Sequence, residues 1–251
     1  MRTPAKIELS IEIAASPEAV FQYFSDPAQY RRWMGEGSSI EPRGGGAITV
    51  AYGAGPTACG EILEWQPCRL IVFSWGHGVT GEERSRVTIM LEPTESGTIV
   101  RLRHEDLPEE QLPGTQSGWR YYLSQLSSIN WADKMDGRLE RVVDAYVAAW
   151  GDADPVRRSE LIDECWSEGG VLQDKYTSVV GADPLCAHID AVRPMMPGMN
   201  LQRSGPAHLC HGFARFAWKI AAPGGDTFAT GVNFCELAPD GRFARMVGFW
   251  D

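Results

Sequence analysis

The stretch AHLCHGFARFAWKI, residues 207–220, combines side chains that could do chemistry with the spacing of a β-strand. Alternate residues of a strand share a face, so His211 and Arg215 would lie on one face with Phe213 between them. In a pocket, the guanidinium could stabilise an enolate or oxyanion and the imidazole could move a proton. On the outside of a sheet, Arg215 would instead form a salt bridge or meet a second copy of the chain. The sequence leaves both alternatives open.

Two further polar residues, Asp174 and Asn233, are candidates for the same pocket. We expect Asp174 near its mouth and Asn233 on the strand next to Arg215, although a slip of one residue in register would turn Asn233 to the other face. The predicted catalytic set is Asp174, His211, Arg215 and Asn233. The chain has no Ser-His-Asp order, H-E-x-x-H or G-x-S-x-G motif, so nucleophilic and metal catalysis are unsupported, and neither a metal nor a cofactor is expected.

Aromatic residues of the second half would surround these polar groups. They are Tyr146 and Trp150 on the apolar stripe of one predicted helix, Trp166 near the end of the next, and Trp218 and Phe249 on predicted strands. A pocket with such walls would suit a flat apolar molecule, such as a polyketide or steroid. The alternative is that these rings form the core between helices and sheet.

A second candidate pocket lies in the first half. In TIVRLRH, residues 98–104, His104 shares a strand face with Val100 and Leu102, so its imidazole points inward if those two residues are buried. The ligand-contact candidates here are Trp33, Trp75, His104, Trp119 and Tyr122. The alternative is a buried histidine satisfied by a hydrogen bond, among aromatic side chains that fill the core.

The elements that must position these residues follow from the spacing of apolar side chains. Alternation from Ile7 to Ile13 predicts a strand with one buried face, and Ser16 followed by Pro17 predicts the start of a helix. Several strand-like segments separated by Gly and Pro then predict an antiparallel meander. Apolar residues at helical spacing over 119–129 predict a long amphipathic helix that closes this half.

A fresh helical register begins near residue 135, where we place the boundary between domains 1–134 and 135–251. One helix carries an apolar stripe over 139–150, and two later Asp-Pro pairs predict the starts of two more helices. Three strand-like segments end the chain, and Asp240-Gly241 predicts a hairpin turn between the last two. The second half is therefore predicted as three helices followed by a curved antiparallel sheet, an α+β pattern.

Composition narrows the choice of partners. The 251 residues carry a formal net charge of -10 without a basic run, so neither nucleic acid nor an anionic membrane is an expected partner. The chain starts without the apolar stretch of a signal peptide, and no apolar run approaches the roughly 18 residues that span a bilayer. Six cysteines without a C-x-x-C pair signal neither a zinc site nor a disulfide framework. We expect a cytoplasmic protein that binds a small organic molecule.

The first half resembles a known family over nearly all of residues 5–130. The segments IEIAASPEAVFQYFSDPAQYRRW, GEILEWQPCRLIVFSW and GWRYYLSQL are similar to the activator-of-heat-shock-protein-ATPase homologue branch of the START-like (SRPBCC) superfamily. The resemblance implies a helix-grip fold, in which a curved sheet wraps a long C-terminal helix with a cavity between them. Eukaryotic members stimulate a chaperone ATPase but carry a separate chaperone-binding domain, which this sequence does not contain.

The second half resembles the SnoaL-like polyketide-cyclase branch of the nuclear-transport-factor-2-like superfamily. The segments YVAAWGDADPVRRSELIDECWSEGGVLQD and LAPDGRFARMVGFWD carry this resemblance, which implies a cone-shaped α+β barrel. Enzymes on that fold include isomerases, dehydratases, epoxide hydrolases and cyclases, many relatives only bind or dimerise, and their sheets often pair back to back. This chain departs from the pattern, because Leu172-Gln173-Asp174-Lys175 replaces Tyr-x-Asp-Pro and Asn233 replaces an aspartate.

The sequence thus predicts a START-like domain followed by a nuclear-transport-factor-2-like domain, each with an apolar cavity. The leading functional hypothesis is that the protein binds a small hydrophobic molecule, and it leaves room for cofactor-free acid–base catalysis of the cyclase, isomerase or dehydratase type in the second domain. A homodimer through the C-terminal sheet is expected from the resemblance. The alternative is a non-catalytic interaction or regulatory protein, including a chaperone-partner role.

Overall fold

The computed structural model describes residues 5–51, 57–77 and 85–251. The chain divides into two compact units, residues 1–130 and 131–251. The division lies inside the long helix near the middle of the chain, whereas the sequence pattern places it after residue 134.

The N-terminal unit is a single antiparallel sheet with helices on one side. Its elements are β1 (Ala5–Ile13), α1 (Pro17–Ser25), α2 (Pro27–Met34), β2 (Ser39–Ile40), β3 (Ala47–Ala51), β4 (Thr57–Gln66), β5 (Leu70–His77), β6 (Ser85–Pro93), β7 (Thr98–Leu107) and α3 (Leu112–Met135). The seven strands follow the order β1-β7-β6-β5-β4-β3-β2. The meander closed by a long helix is the START-like, helix-grip architecture predicted from the sequence.

Local chemistry fixes the helix starts of this unit. The Ser16 side chain accepts a hydrogen bond from the Ala19 backbone N–H, and Pro17 occupies the first turn of α1. The Asp26 side chain likewise accepts a hydrogen bond from the Ala28 backbone N–H at the start of α2, whose first residue is again a proline.

The core of the N-terminal unit lies between the sheet and α3. Trp119, Leu123 and Leu126 of α3 belong to one buried cluster with the inward-facing residues of the central strands, such as Ile89 and Val100. The alternation over residues 7–13 and the helical spacing over 119–129 therefore identify the buried faces of β1 and α3 correctly.

The C-terminal unit folds helices against a second sheet. Its elements are α4 (Leu139–Gly151), α5 (Pro155–Cys165), β8 (Trp166–Gln173), β9 (Ser178–Val180), α6 (Ala182–Val192), β10 (Asn200–Arg203), β11 (His208–Cys210), β12 (Phe213–Ala221), β13 (Thr227–Leu237) and β14 (Phe243–Trp250). The main order is β10-β12-β13-β14-β8-β9, with β11 paired to β12. This α+β arrangement fits the predicted cone.

One feature of the predicted order is wrong: the three helices do not all precede the strands. β8 and β9 lie between α5 and α6, and β8 pairs in parallel with β14 at the end of the chain. The segment WSEGGVLQD lacks strict alternation because β8 has buried residues at irregular spacing, so the sequence pattern does not separate it from the preceding helix.

The segment 207–220 is a hairpin rather than one strand. β11 turns back on β12 at His211 and Gly212, whose φ angles are 49° and 79°, as the two central residues of a type I′ turn require. A Cβ on Gly212 would lie 2.7 Å from the Trp131 ring, so the turn is pressed against an indole. The prediction that His211 continues a strand is wrong because the alternating sequence pattern runs through a tight turn.

Candidate functional site

The C-terminal unit contains a cavity of about 440 Å³ between α4, α6 with the loop that follows it, and the inner face of the sheet. Its wall is formed mainly by aromatic, aliphatic and methionine side chains, with a few polar groups. The volume falls within the range of small-molecule sites, roughly 300–1,000 Å³.

Aromatic rings form much of the cavity wall. Tyr146 and Trp150 lie one helical turn apart on α4, with ring centroids 6.3 Å apart. On the sheet, the rings of Trp218 and Trp250 meet edge to face at 4.9 Å, and Tyr176 packs against Trp250 at 5.1 Å. Three aromatic residues predicted as ligand contacts, Tyr146, Trp150 and Trp218, therefore lie in this wall.

Two other predicted ligand contacts lie elsewhere. Trp166 is fully buried in the core, stacked on Tyr146 at 6.0 Å and packed against Phe243. Phe249 is 54% exposed on the outer face of the sheet, against Phe234. The prediction is wrong for both, and in β14 it is Trp250 that lies in the wall, because successive residues of a strand point to opposite faces.

Asp174 and Asn233 lie close to one point of the cavity wall. Asp174 Oδ1 accepts hydrogen bonds from the backbone N–H groups of Tyr176 and Thr177, both at 2.8 Å, and Oδ2 accepts one from Trp250 Nε1 at 3.2 Å. The carboxylate is therefore held in one orientation at the turn between β8 and β9.

Asn233 is buried, and its amide is tied to the wall. Its Oδ1 accepts a hydrogen bond from Trp218 Nε1 at 3.0 Å, and its Nδ2 donates to Met246 Sδ at 3.1 Å. A Cβ placed on Gly248 would lie 3.1 Å from Asn233 Oδ1 and 3.3 Å from Asp174 Cβ. The missing side chain at Gly248 thus lets both polar residues pack closely against the β14 backbone.

The wall contains two polar residues that the sequence analysis missed. His188 of α6 packs edge to face on Trp150 at 5.9 Å, and neither ring nitrogen forms a hydrogen bond within the described part of the chain. Arg193 follows α6 and donates from Nη1 to the Asp152 carbonyl. Helical spacing could have found His188, since it lies three residues after Leu185, which is fully buried.

His211 and Arg215 do not reach the cavity. His211 is exposed in the hairpin turn, and Arg215 is exposed on the outer face of β12, opposite His208 on one side and Phe234 on the other. The buried residues of β12 are Ala214, Phe216, Trp218, Ile220 and Ala221. The prediction that His211 and Arg215 act inside the pocket is wrong, because their side chains point away from the helices.

Burial decides which other groups near the cavity could act in proton transfer. Burial raises the pKa of the Tyr146 hydroxyl far above its ordinary value, against the smaller opposite effect of the adjacent Trp150 indole. Tyr146 therefore stays protonated and could donate a hydrogen bond but not serve as a base. Burial likewise raises the pKa of the Cys165 and Cys235 thiols, which excludes them as thiolate nucleophiles at neutral pH.

In the N-terminal unit, Trp33 belongs to the core. Its Nε1 donates to the Tyr23 carbonyl at 2.9 Å, and its ring packs against Phe24 and Tyr30. With 2% of its surface exposed, it leaves no room for a ligand, so the predicted contact at Trp33 is wrong.

His104 is a fully buried histidine with both ring nitrogens hydrogen-bonded. Trp119 Nε1 donates to Nδ1 at 3.0 Å, and Nε2 lies 2.7 Å from Ser85 Oγ, which itself donates to the Trp75 carbonyl. The only consistent tautomer carries its proton on Nε2. Burial lowers the pKa of His104 to about 4, so the imidazole is neutral at neutral pH. The satisfied core histidine, rather than the ligand contact, is the arrangement found.

A recess of about 320 Å³ lies at the start of α3. Trp75, Trp119 and Tyr122 form its apolar wall, and the rest of the wall comes from polar residues and glycines around Glu110 and Thr115. Three of the predicted N-terminal contacts therefore meet at one recess, while His104 lies behind them.

Two features that the described residues lack bear on the class of site. Within 5–51, 57–77 and 85–251, no helix combines the length and apolarity needed to span a membrane. The same residues contain no cluster of three or more His, Cys, Asp or Glu side chains that could hold a metal ion.

Comparisons with known proteins find relatives of both halves. Residues 14–130 match the family described as "Activator of Hsp90 ATPase homolog 1-like protein". Among solved structures, a putative isomerase of the SnoaL-like family from Agrobacterium tumefaciens str. C58 is 32% identical, covering 44% of this chain and 94% of its own, with a TM-score of 0.42. CalU16 from Micromonospora echinospora is 27% identical, covering 49% of this chain and 74% of its own, with a TM-score of 0.42.

A third solved structure is the Aha1 dimer from Colwellia psychrerythraea, which is 22% identical and covers 47% of this chain and 90% of its own, with a TM-score of 0.43. A search of the curated proteins finds no match. The chain thus joins a first half similar to the heat-shock ATPase activator homologues to a second half similar to SnoaL-like proteins, which confirms the resemblance predicted from the sequence.

Proposed function

We propose that the C-terminal unit binds a flat, apolar small molecule in the 440 Å³ cavity. The observation that carries this proposal is the composition of the wall, in which Tyr146, Trp150, Trp218 and Trp250 surround a space large enough for two or three fused rings. Ligand sites are typically apolar with a few placed polar groups, and Asp174 and Asn233 supply these here.

We further propose that bound ligands with a proton on a carbon next to a carbonyl undergo proton transfer. His188 has free ring nitrogens that can take and return a proton, and the oriented Asp174 carboxylate is a second acceptor. The Tyr146 hydroxyl, which stays protonated, is available to donate a hydrogen bond to the carbonyl oxygen. Moving a proton between two carbons is redox-neutral and needs no cofactor, which is the chemistry of an isomerase or cyclase.

The test uses 2-tetralone, a bicyclic apolar ketone, as the probe. Binding is measured by quenching of tryptophan fluorescence, and proton transfer by the rate at which the ketone gains deuterium in D2O. Saturable binding with faster exchange than in buffer supports an enzyme, whereas saturable binding with the buffer rate supports a carrier. Absence of binding, together with native mass spectra in which the purified protein carries no small molecule, contradicts the proposal.

The outer face of the C-terminal sheet supports a second proposal, that two copies of the chain pair through it. Phe213, Phe234 and Phe249 point to this face and are 57%, 50% and 54% exposed. Large exposed apolar patches are rare on monomers, and a flat sheet face can meet its own copy about a two-fold axis.

A further inference from the structure

Arg193 lies where the apolar cavity meets a polar cleft. The cleft has a volume of about 670 Å³ and is formed by the end of α4, the end of α6 and the loop over 193–200. Four residues belong to both the cavity wall and the cleft wall: Trp150, Arg193, Met196 and Met199. These four side chains therefore lie between the cavity and the cleft, so a group bound at the cleft would be adjacent to a ligand in the cavity.

The guanidinium of Arg193 lacks a neutralising carboxylate. It is half-buried, its Nη1 donates to the Asp152 carbonyl, and no acidic side chain of the described residues forms an ion pair with it. A partly buried cation without a counter-ion is unfavourable, because burial removes its hydration.

Arg158, which shares the Asp152 carbonyl with Arg193, does have a carboxylate partner. Arg158 is fully buried and donates to the same Asp152 carbonyl at 2.6 Å, but it also forms an ion pair with Asp190. Asp190 is the one acidic residue in the described wall of the cleft, and Arg158 already neutralises it. The positive charge of Arg193 is therefore left for a ligand.

We propose that the ligand is an amphipathic acid, whose apolar rings fill the cavity and whose carboxylate binds Arg193 at the cleft. This inference rests on the proposed function and names the substrate class for the same site. Arg193 keeps Nη2 and Nε free of the Asp152 contact, and a guanidinium binds a carboxylate with two parallel N–H groups. Asp174 belongs to the cavity wall but not to the cleft wall. Repulsion between the Asp174 carboxylate and the ligand carboxylate therefore favours the orientation in which the acid end of the ligand lies at the cleft.

The test compares two probes that share the naphthalene rings, the anion 2-naphthoate and its neutral methyl ester, by fluorescence titration at pH 7.5 and low salt. We expect the wild-type protein to bind the acid about tenfold more tightly than the ester, because a hydrogen-bonded ion pair replaces a neutral contact. Arg193→Gln should weaken binding of the acid about tenfold and leave the ester unchanged, while Arg193→Lys should keep part of the preference. The matched control is Arg157→Gln, at an exposed arginine of α5 that belongs to neither the cavity wall nor the cleft wall, which should change neither affinity.

The outcomes separate this inference from the proposed function. If the wild-type protein binds ester and acid equally, or if Arg193→Gln leaves both affinities unchanged, the acid-binding role is overturned while the cavity still binds a neutral ligand. If neither naphthalene probe nor 2-tetralone binds, and native mass spectra show no small molecule on the purified protein, the proposed function fails, and the inference fails with it. Should Arg193→Gln unfold, the salt dependence of the wild-type protein decides: loss of affinity with added KCl for the acid alone supports the ion pair, and equal behaviour of both probes overturns it.

Discussion

Phe249 and Trp250 are neighbours in β14, yet Trp250 lies in the cavity wall against Trp218, 4.9 Å between ring centroids, and Phe249 lies on the exposed outer face against Phe234. Successive residues of this strand therefore lie on two different surfaces: the wall of the proposed ligand cavity and the outer face proposed as the dimer contact. The pair therefore offers matched positions, since both substitutions remove an aromatic ring from the same strand.

Trp250→Ala should weaken binding of 2-tetralone about tenfold, because a ring in direct contact with the ligand is removed. It also removes the N–H donor to Asp174 Oδ2. Phe249→Ala should leave the affinity within about twofold of wild type, as its ring lies on the far side of the sheet. Fluorescence titration of both variants is the measurement, and equal losses would mean that the probe does not occupy the cavity.

His188→Gln should slow deuterium exchange into bound 2-tetralone about a hundredfold without changing its affinity, since glutamine fills similar space but cannot carry the proton. Asp174→Asn should keep the acceptor towards Tyr176 and Thr177 but place an amide N–H against the Trp250 donor. Exchange rates by NMR at saturating protein check both variants. An unchanged rate in both would exclude these two residues as the proton carriers and support a carrier protein.

Phe234→Lys should convert a dimer into a monomer at micromolar concentration, because a charge is placed in the middle of the proposed contact. Val156→Lys is the matched control: Val156 is 66% exposed on α5, so the same change there should leave the dimer intact. Sedimentation velocity measures both. A monomeric wild-type protein in that range would refute pairing through this face.

The buried His104 should make stability depend on pH. Its pKa is about 4 when folded and 6.5 as the ordinary value, so between these pH values the unfolded chain binds a proton that the folded chain does not. The free energy of unfolding should therefore fall as the pH drops from 6.5 to 4, by about 3 kcal/mol from this residue, and the contribution is fully present above pH 6.5. Protonation of Nδ1 would also set two donors face to face, since Trp119 donates to that atom.

Urea unfolding of wild type and His104→Gln at pH 7 and pH 4 isolates this effect. The variant should be less stable at pH 7 but lose less stability on acidification, and His208→Gln, at an exposed histidine, should follow the wild type. Parallel profiles for wild type and His104→Gln would show that His104 does not resist protonation.

Helices and strands whose apolar residues recur at regular spacing could be predicted from the sequence. A tight turn inside a strand-like segment, and the side-chain directions that follow from that turn, could not. The alternation of β7 placed His104 inward correctly, because Leu102 and Val100, which lie two and four residues before it on the same face, are buried. In the segment 207–220, alternation continues through the turn, and nothing in the spacing of apolar residues marks where the strand reverses. Arg193 was missed for another reason: it reaches the cavity from the loop that follows α6, and no local pattern encodes that placement, whereas the helical spacing from Leu185 could have found His188.

The hairpin itself gives the last prediction. Gly212 has a φ of 79° and lies so close to the Trp131 ring that a Cβ would meet it at 2.7 Å, so Gly212→Ala introduces both backbone strain and a steric clash. Gly205 has a φ of 94° with nothing within 4 Å of a Cβ, so Gly205→Ala carries the backbone strain alone. We expect Gly205→Ala to cost about 1 kcal/mol and Gly212→Ala roughly 2–4 kcal/mol in free energy of unfolding, measured with urea. Equal losses would mean that Trp131 does not press on the turn, and that the reversal which carries His211 and Arg215 away from the cavity is held by its backbone conformation alone.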